Sequence, residues 1–115
     1  MKSLIHFFKL LSDETRLRII MLLAQEQLCV CELHGLLELS QPKVSKHLSK
    51  LKDLGIVSDE KQDKFVFYKL NRLDRSSQAI IDQILSDIAQ YPQLQSDQKR
   101  RINKDEYLKT CLPSR

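Results

Sequence analysis

Between Ser40 and Gly55 the chain carries a complete set of helix punctuation, and this segment constrains the fold more than any other. Ser40 is placed to accept a bond from an orphan amide of the first turn. Pro42 sits within that turn, where a missing N–H costs nothing. Val44, Leu48 and Leu51 follow at i, i+4 and i+7, and Gly55 is a good residue for the left-handed position after the last turn. The remaining positions include Lys43, Ser45, Lys46, His47, Ser49, Lys50 and Lys52, so the predicted helix is amphipathic with a basic outer side. Charge separates this region from the rest. Residues 40–72 hold eight basic and four acidic side chains, an excess equal to the +4 of all 115 residues. A concentrated basic stripe on an otherwise balanced chain suits a phosphate backbone, the plain alternative being a solvated helix face.

The flanking sequence supplies neighbours for that helix. Leu4, Phe8 and Leu11 share one face of a first helix, and Asp13 is a candidate N-cap for a second, which carries Leu17, Ile20, Met21, Leu23 and Ala24. A third helix is predicted from Cys29 or Val30, with Leu33, Leu36 and Leu37 at helical spacing. After Gly55, Ile56-Val57 and Phe65 to Leu70 read as two strands, the second alternating with period two. Residues 60–64 form a charged hairpin tip in which Asp63 tolerates a left-handed turn. A final helix bears Ile80, Ile81, Ile84, Leu85 and Ile88, more apolar surface than one small core can use. Part of it is therefore expected to meet a second copy. The expected dimer contact comprises Leu4, Phe8, Ile81, Ile84, Leu85 and Ile88. Pro92 ends the pattern, dividing the chain into a domain over 1–91 and a polar tail over 92–115, which is weakly periodic and expected to be flexible or marginally helical.

Composition removes several function classes. With 42% hydrophobic and 30% charged residues the chain suits one compact fold rather than disorder. The longest apolar run, Ile19 to Ala24, is far short of the ~20 residues of a membrane span. The apolar start at Leu4 to Phe8 is broken by His6 and Lys9 and offers no cleavage site, so a cytoplasmic chain is expected. Three cysteines are an odd set for a disulfide scaffold, and two glycines leave no phosphate-cradling loop. No nucleophile–base pair is apparent, so an enzyme has nothing to rest on and no cofactor is required.

Helix, helix, helix, helix, strand, strand, helix is the order of a winged helix-turn-helix: mainly α with a small β-hairpin. Four stretches of this sequence resemble the ArsR/SmtB metalloregulatory repressors, and their arsenical branch in particular. They are Leu10 to Arg18 (L-L-S-D-E-T-R-L-R), Leu28 to Leu33 (L-C-V-C-E-L), Ser40 to Leu48 (S-Q-P-K-V-S-K-H-L), and Leu54-Gly55-Ile56-Val57 with its hairpin. The resemblance implies a dimeric repressor that leaves double-stranded operator DNA when a metal or metalloid binds.

Residue chemistry assigns the two surfaces. Gln bonds adenine in two places, Ser reads donors or acceptors, and Lys suits guanine or phosphate. Recognition helices make base contacts near their N-termini. Gln41, Lys43, Ser45 and His47 are therefore assigned to the groove, Lys46 and Lys50 mainly to phosphate, and Lys61 and Lys64 to flanking phosphates from the wing. Cys29 and Cys31 lie at i, i+2, about 200° apart around a regular helix, so they chelate one ion only if the turn at Cys29-Val30 is distorted or lies outside the helix. Soft thiolates favour As(III) or Sb(III) as inducer. The arsenical branch often has a third cysteine where this chain has His34; Cys111 is the other possible third ligand. The family's zinc site between the final helices needs histidines there, and residues 73–115 contain none. A thiol-redox sensor, or a Zn- or Cd-responsive repressor of the same fold, is the alternative function. A winged-helix domain used only for protein assembly sits poorly with the concentrated positive charge.

Overall fold

The structure, a computed structural model, describes residues 2–103. Helix α1 (Lys2–Leu11) and helix α2 (Glu14–Leu23) are followed by the short strand β1 (Leu28–Cys29), helix α3 (Val30–Leu37) and helix α4 (Gln41–Asp53). Strands β2 (Val57–Gln62) and β3 (Phe65–Leu70) make the hairpin; helix α5 (Arg75–Ser86), a 3₁₀ turn (Ile88–Gln90) and helix α6 (Pro92–Ile102) complete the order. This is a winged helix-turn-helix.

The local signals act as their chemistry requires. Asp13 Oδ1 accepts from the Arg16 amide at 3.0 Å and Ser40 Oγ from the Lys43 amide at 3.3 Å, each satisfying a donor that the first helical turn leaves open. Gly55 takes φ +77° after α4, and Asp63 takes φ +59° at the hairpin turn. Helix α2 is the centre of the core, with Ile19 to Leu23 all buried. Val44, Leu48 and Leu51 of α4 are fully covered, so its basic side faces outward.

Four features differ from the sequence expectation. A third strand exists, because β1 pairs antiparallel with β3, Leu28 opposite Tyr68 and Cys29 opposite Phe67, giving the order β1-β3-β2. Strand β2 continues to Gln62, so Lys61 belongs to a strand rather than to the turn. Residues 92–102, expected as a flexible or marginally helical tail, form a docked helix that buries Leu94 and Asp97. Ile81 is fully covered by its own chain, which removes it from the expected dimer contact. Of the rest of that set, Phe8 is half exposed, and Leu4, Ile84, Leu85 and Ile88 are partly exposed.

Candidate nucleic-acid interface and thiol site

Helix α4 owes its orientation to α3. Leu33, Leu36 and Leu37 are buried together with Val44 and Leu48, and residues 38–40 connect the two helices, Glu38 taking the left-handed φ of +57°. That packing turns Gln41, Lys43, Lys46 and Lys50 to solvent. Ser45 is half-buried at the edge of the face, and Ser49, unassigned by sequence, is exposed alongside Lys46 and Lys50. Lys61 and Lys64 are exposed on the wing. The wing is tied to the helix by Lys52 Nζ, which meets Asp59 Oδ2 at 3.0 Å and has its pKa raised by that bond. Asn71 adds a second tie, donating from Nδ2 to the Gly55 carbonyl at 2.9 Å while bonding Ser58.

His47 is less outward than its neighbours. It is half-buried, and burial holds its pKa below the ordinary 6.5. Asp13 opposes that shift, whereas Arg16, Lys43 and Lys46 add to it, so the imidazole lies in the field of the α2 N-terminus as well as of its own helix.

The two cysteines occupy different backbone environments. Cys29 is the N-cap of α3, with extended φ −85° and ψ 164°, so it stands outside the helix, whereas Cys31 lies in the first turn. The two residues therefore do not share one regular helix. Cys29 is 1% exposed, while Cys31 is partly exposed. The Cys29 amide donates to Glu32 Oε1 at 3.0 Å. Burial pushes the Cys29 thiol up to about 11; the Glu32 carboxylate adds to the rise, and the Glu32 and Cys31 amides oppose it. Cys29 is thus a protonated thiol at neutral pH and a weak nucleophile. Among the described residues no three His, Cys, Asp or Glu side chains converge as for a metal ion, so His34 is not assembled with both thiols. Cys111 lies outside the described residues.

The same backbone joins the thiols to the wing. Cys29 is the strand partner of Phe67, and α3 begins at the next residue. Among the described residues, no helix is long and apolar enough to cross a membrane.

Comparison with known proteins gives a consistent picture. Residues 13–59 match the description "Bacterial regulatory protein, arsR family". The arsenic resistance transcriptional regulator ArsR1 of Pseudomonas putida is 51% identical over 65 residues, a match covering 56% of this chain and 51% of that protein. The chain therefore spans about half the length of that relative. An arsenical resistance operon repressor of Staphylococcus aureus is 36% identical over 87 residues, covering 76% of this chain and 78% of that protein. Among solved structures, the AntR antimony-specific transcriptional repressor superposes with TM-score 0.66 at 26% identity, covering 80% of this chain and 82% of that one.

Proposed function

The chain belongs to the ArsR family of bacterial regulatory proteins, and on that premise we propose that it is a homodimeric, DNA-binding transcriptional repressor released by As(III) or Sb(III). Helix α4 would enter the major groove through Gln41, Lys43 and Ser45, with His47 at its edge. Lys46 and Lys50, and Lys61 and Lys64 on the wing, would meet phosphates. Leu4, Phe8, Ile84, Leu85 and Ile88 would join two copies and so space two recognition helices for two half-sites.

The observation that carries the inducer reading is the position of Cys29, at once the cap of α3 and the strand partner of Phe67 in the wing. Trivalent arsenic supplies an acceptor for which thiolates are the preferred soft ligands. As each sulfur bonds to arsenous acid, the thiol proton leaves with a displaced hydroxide as water, so a high thiol pKa does not bar the reaction. Drawing the buried Cys29 sulfur toward Cys31 displaces the start of α3 and the β1–β3 pairing together. The conformer that holds the metalloid then differs from the one that docks on DNA, which is the condition for release.

The test is fluorescence anisotropy on promoter DNA with the parent, Cys29→Ser, Cys31→Ser and His34→Ala, titrated with arsenite, antimonite and zinc. Cys29→Ser and Cys31→Ser should keep DNA affinity and lose release by arsenite, while His34→Ala should release like the parent. Release of both serine variants at parental arsenite concentrations would refute the thiol-pair sensor.

A further inference from the structure

A cavity of about 450 Å³ opens between α1, the end of α4 and the start of α5, on the side of α1 away from Leu4 and Phe8. Its volume lies in the range that holds a small organic ligand. We propose that it is a binding site for a small amphiphilic carboxylate, an apolar chain or ring ending in one anionic group. The inference needs none of the DNA-binding reading; Lys50 is the one side chain the two share.

The walls divide by chemistry. Phe7 and Leu10 of α1, Leu54 and Ile56 after α4, and Leu73 before α5 supply an apolar lining. Leu54 is 47% exposed, an apolar side chain left facing the opening. The cationic lining residues are Lys9, Arg16, Lys50 and Arg72, against one acid, Asp74.

Both Arg16 and Asp74 are already committed. The Arg16 guanidinium donates to the Leu10 and Lys9 carbonyls at 3.2 and 3.3 Å and stands 4.0 Å from Asp13. Asp74 Oδ1 accepts the Ser77 amide at 2.7 Å as the N-cap of α5, a bond that holds its pKa below the ordinary 3.8. Lys9, Lys50 and Arg72 remain, and among the described residues none of them forms an ion pair. Three cations without a carboxylate, bordering an apolar lining, are complementary to a carboxylate with an apolar body. A bare phosphate would satisfy the cations and leave the lining wet; a neutral alkane would do the reverse.

The experiment is a titration of the ¹⁵N-labelled full chain with decanoate, 1-decanol and inorganic phosphate, followed by amide chemical shifts. Decanoate should bind saturably, with shifts confined to residues 3–10, 50–56 and 72–77. Decanol should bind about tenfold more weakly or worse, the worth of one charge-assisted hydrogen bond. The double variant Lys50→Gln/Arg72→Gln should lose a similar factor for decanoate while keeping the parent spectrum elsewhere. Leu54→Asp, at an exposed position, should abolish binding without unfolding the chain. Equal affinity for decanoate and decanol, phosphate shifting the same amides as strongly, shifts centred elsewhere, or no saturation would each overturn the proposal.

Discussion

Helices α5 and α6 invert the usual relation between composition and burial. Helix α5 carries the apolar stripe, yet within one chain only Ile81 of that stripe is fully covered, leaving Ile80, Ile84 and Leu85 partly open. Helix α6 is polar along most of its length, yet it buries Asp97 to 2% exposure along with Leu94. The difference lies in what each helix docks against. Asp97 takes a two-pronged bond from Arg18 of α2, Nε to Oδ2 and Nη2 to Oδ1, both 2.9 Å, and a third from Gln93 at 3.1 Å. Arg18 also donates to the Leu37 carbonyl at 3.1 Å, and Arg100 to the Leu36 carbonyl at 3.1 Å. Two arginines thus occupy carbonyls that the end of α3 leaves open. One helix leaves apolar surface partly open; the other is locked to its own chain by charge. Helix α3 is accordingly held at its C-terminal end by α6 and Arg18, and carries the thiols at the opposite end.

The sharpest way to break this comparison is to remove the carboxylate. Asp97→Ala leaves the Arg18 guanidinium buried without its partner, and should cost about 3–5 kcal/mol of stability in urea unfolding. The double variant Arg18→Met/Asp97→Leu should recover most of that loss, because no unpaired charge remains. A loss below about 1 kcal/mol for the single variant would mean that α6 is not held by this pair.

The α5 side of the comparison is tested at Phe8, its neighbour in the proposed dimer contact. Phe8→Glu places a charge on a half-exposed position, so the chain should fold while the dimer dissociates. Sedimentation should show monomers, and operator affinity should fall about a hundredfold as the second half-site contact is lost. A dimer of parental strength would return the stripe to the single-chain core. Arg100→Ala is a milder test of α6. It deletes one bond to Leu36 and a part-exposed ion pair with Glu38 at 3.1 Å, and should cost about 1 kcal/mol.

These two helices also show which parts of the fold were legible in the sequence. Asp13 and Ser40 could be read because a cap is a bond between a side chain and a backbone group a few residues away, and Gly55 because the left-handed position after a helix favours a residue without a Cβ. The stripes of α4 and α5 could be read because helical period is local. Helix α6 could not: its burial depends on Arg18, 79 residues from Asp97, and no apolar period announces it. Strand β1 was illegible because two residues carry no alternation. At the thiol site the i, i+2 spacing left the helix start open between Cys29 and Val30. It made shared chelation conditional on a turn there that is distorted or outside the helix; the structure puts Cys29 at the N-cap. Its pairing with Phe67 is a long-range contact with no local signature. The cluster at Lys9, Lys50 and Arg72 was missed for the same reason, since three separate segments build it.

The smallest expected effect concerns His47, where the α4 surface turns from solvent toward α2. Its pKa in the folded chain lies below 6.5, with burial as the main cause, so below pH 6.5 the unfolded chain binds more protons there than the folded one. The sign follows: His47 lets stability rise with pH, its contribution is complete above 6.5, and it is lost as pH falls through the folded-state value. Asp13, held below its ordinary 3.8 mainly by the Arg16 amide, acts with the same sign in a separate, more acidic window. His47→Gln should therefore flatten urea midpoints between pH 7 and 5 by well under about 1 kcal/mol and leave the steeper loss near pH 3 unchanged. Operator binding adds a second readout. If the imidazole faces a phosphate in the complex, DNA favours its charged form, and parental affinity gains on acidification beyond that of His47→Gln. If it stays turned toward Asp13 and Arg16, the two proteins lose and gain affinity in parallel across this range. A parent and variant with identical unfolding midpoints from pH 8 to 5 would show that burial at His47 carries no proton linkage.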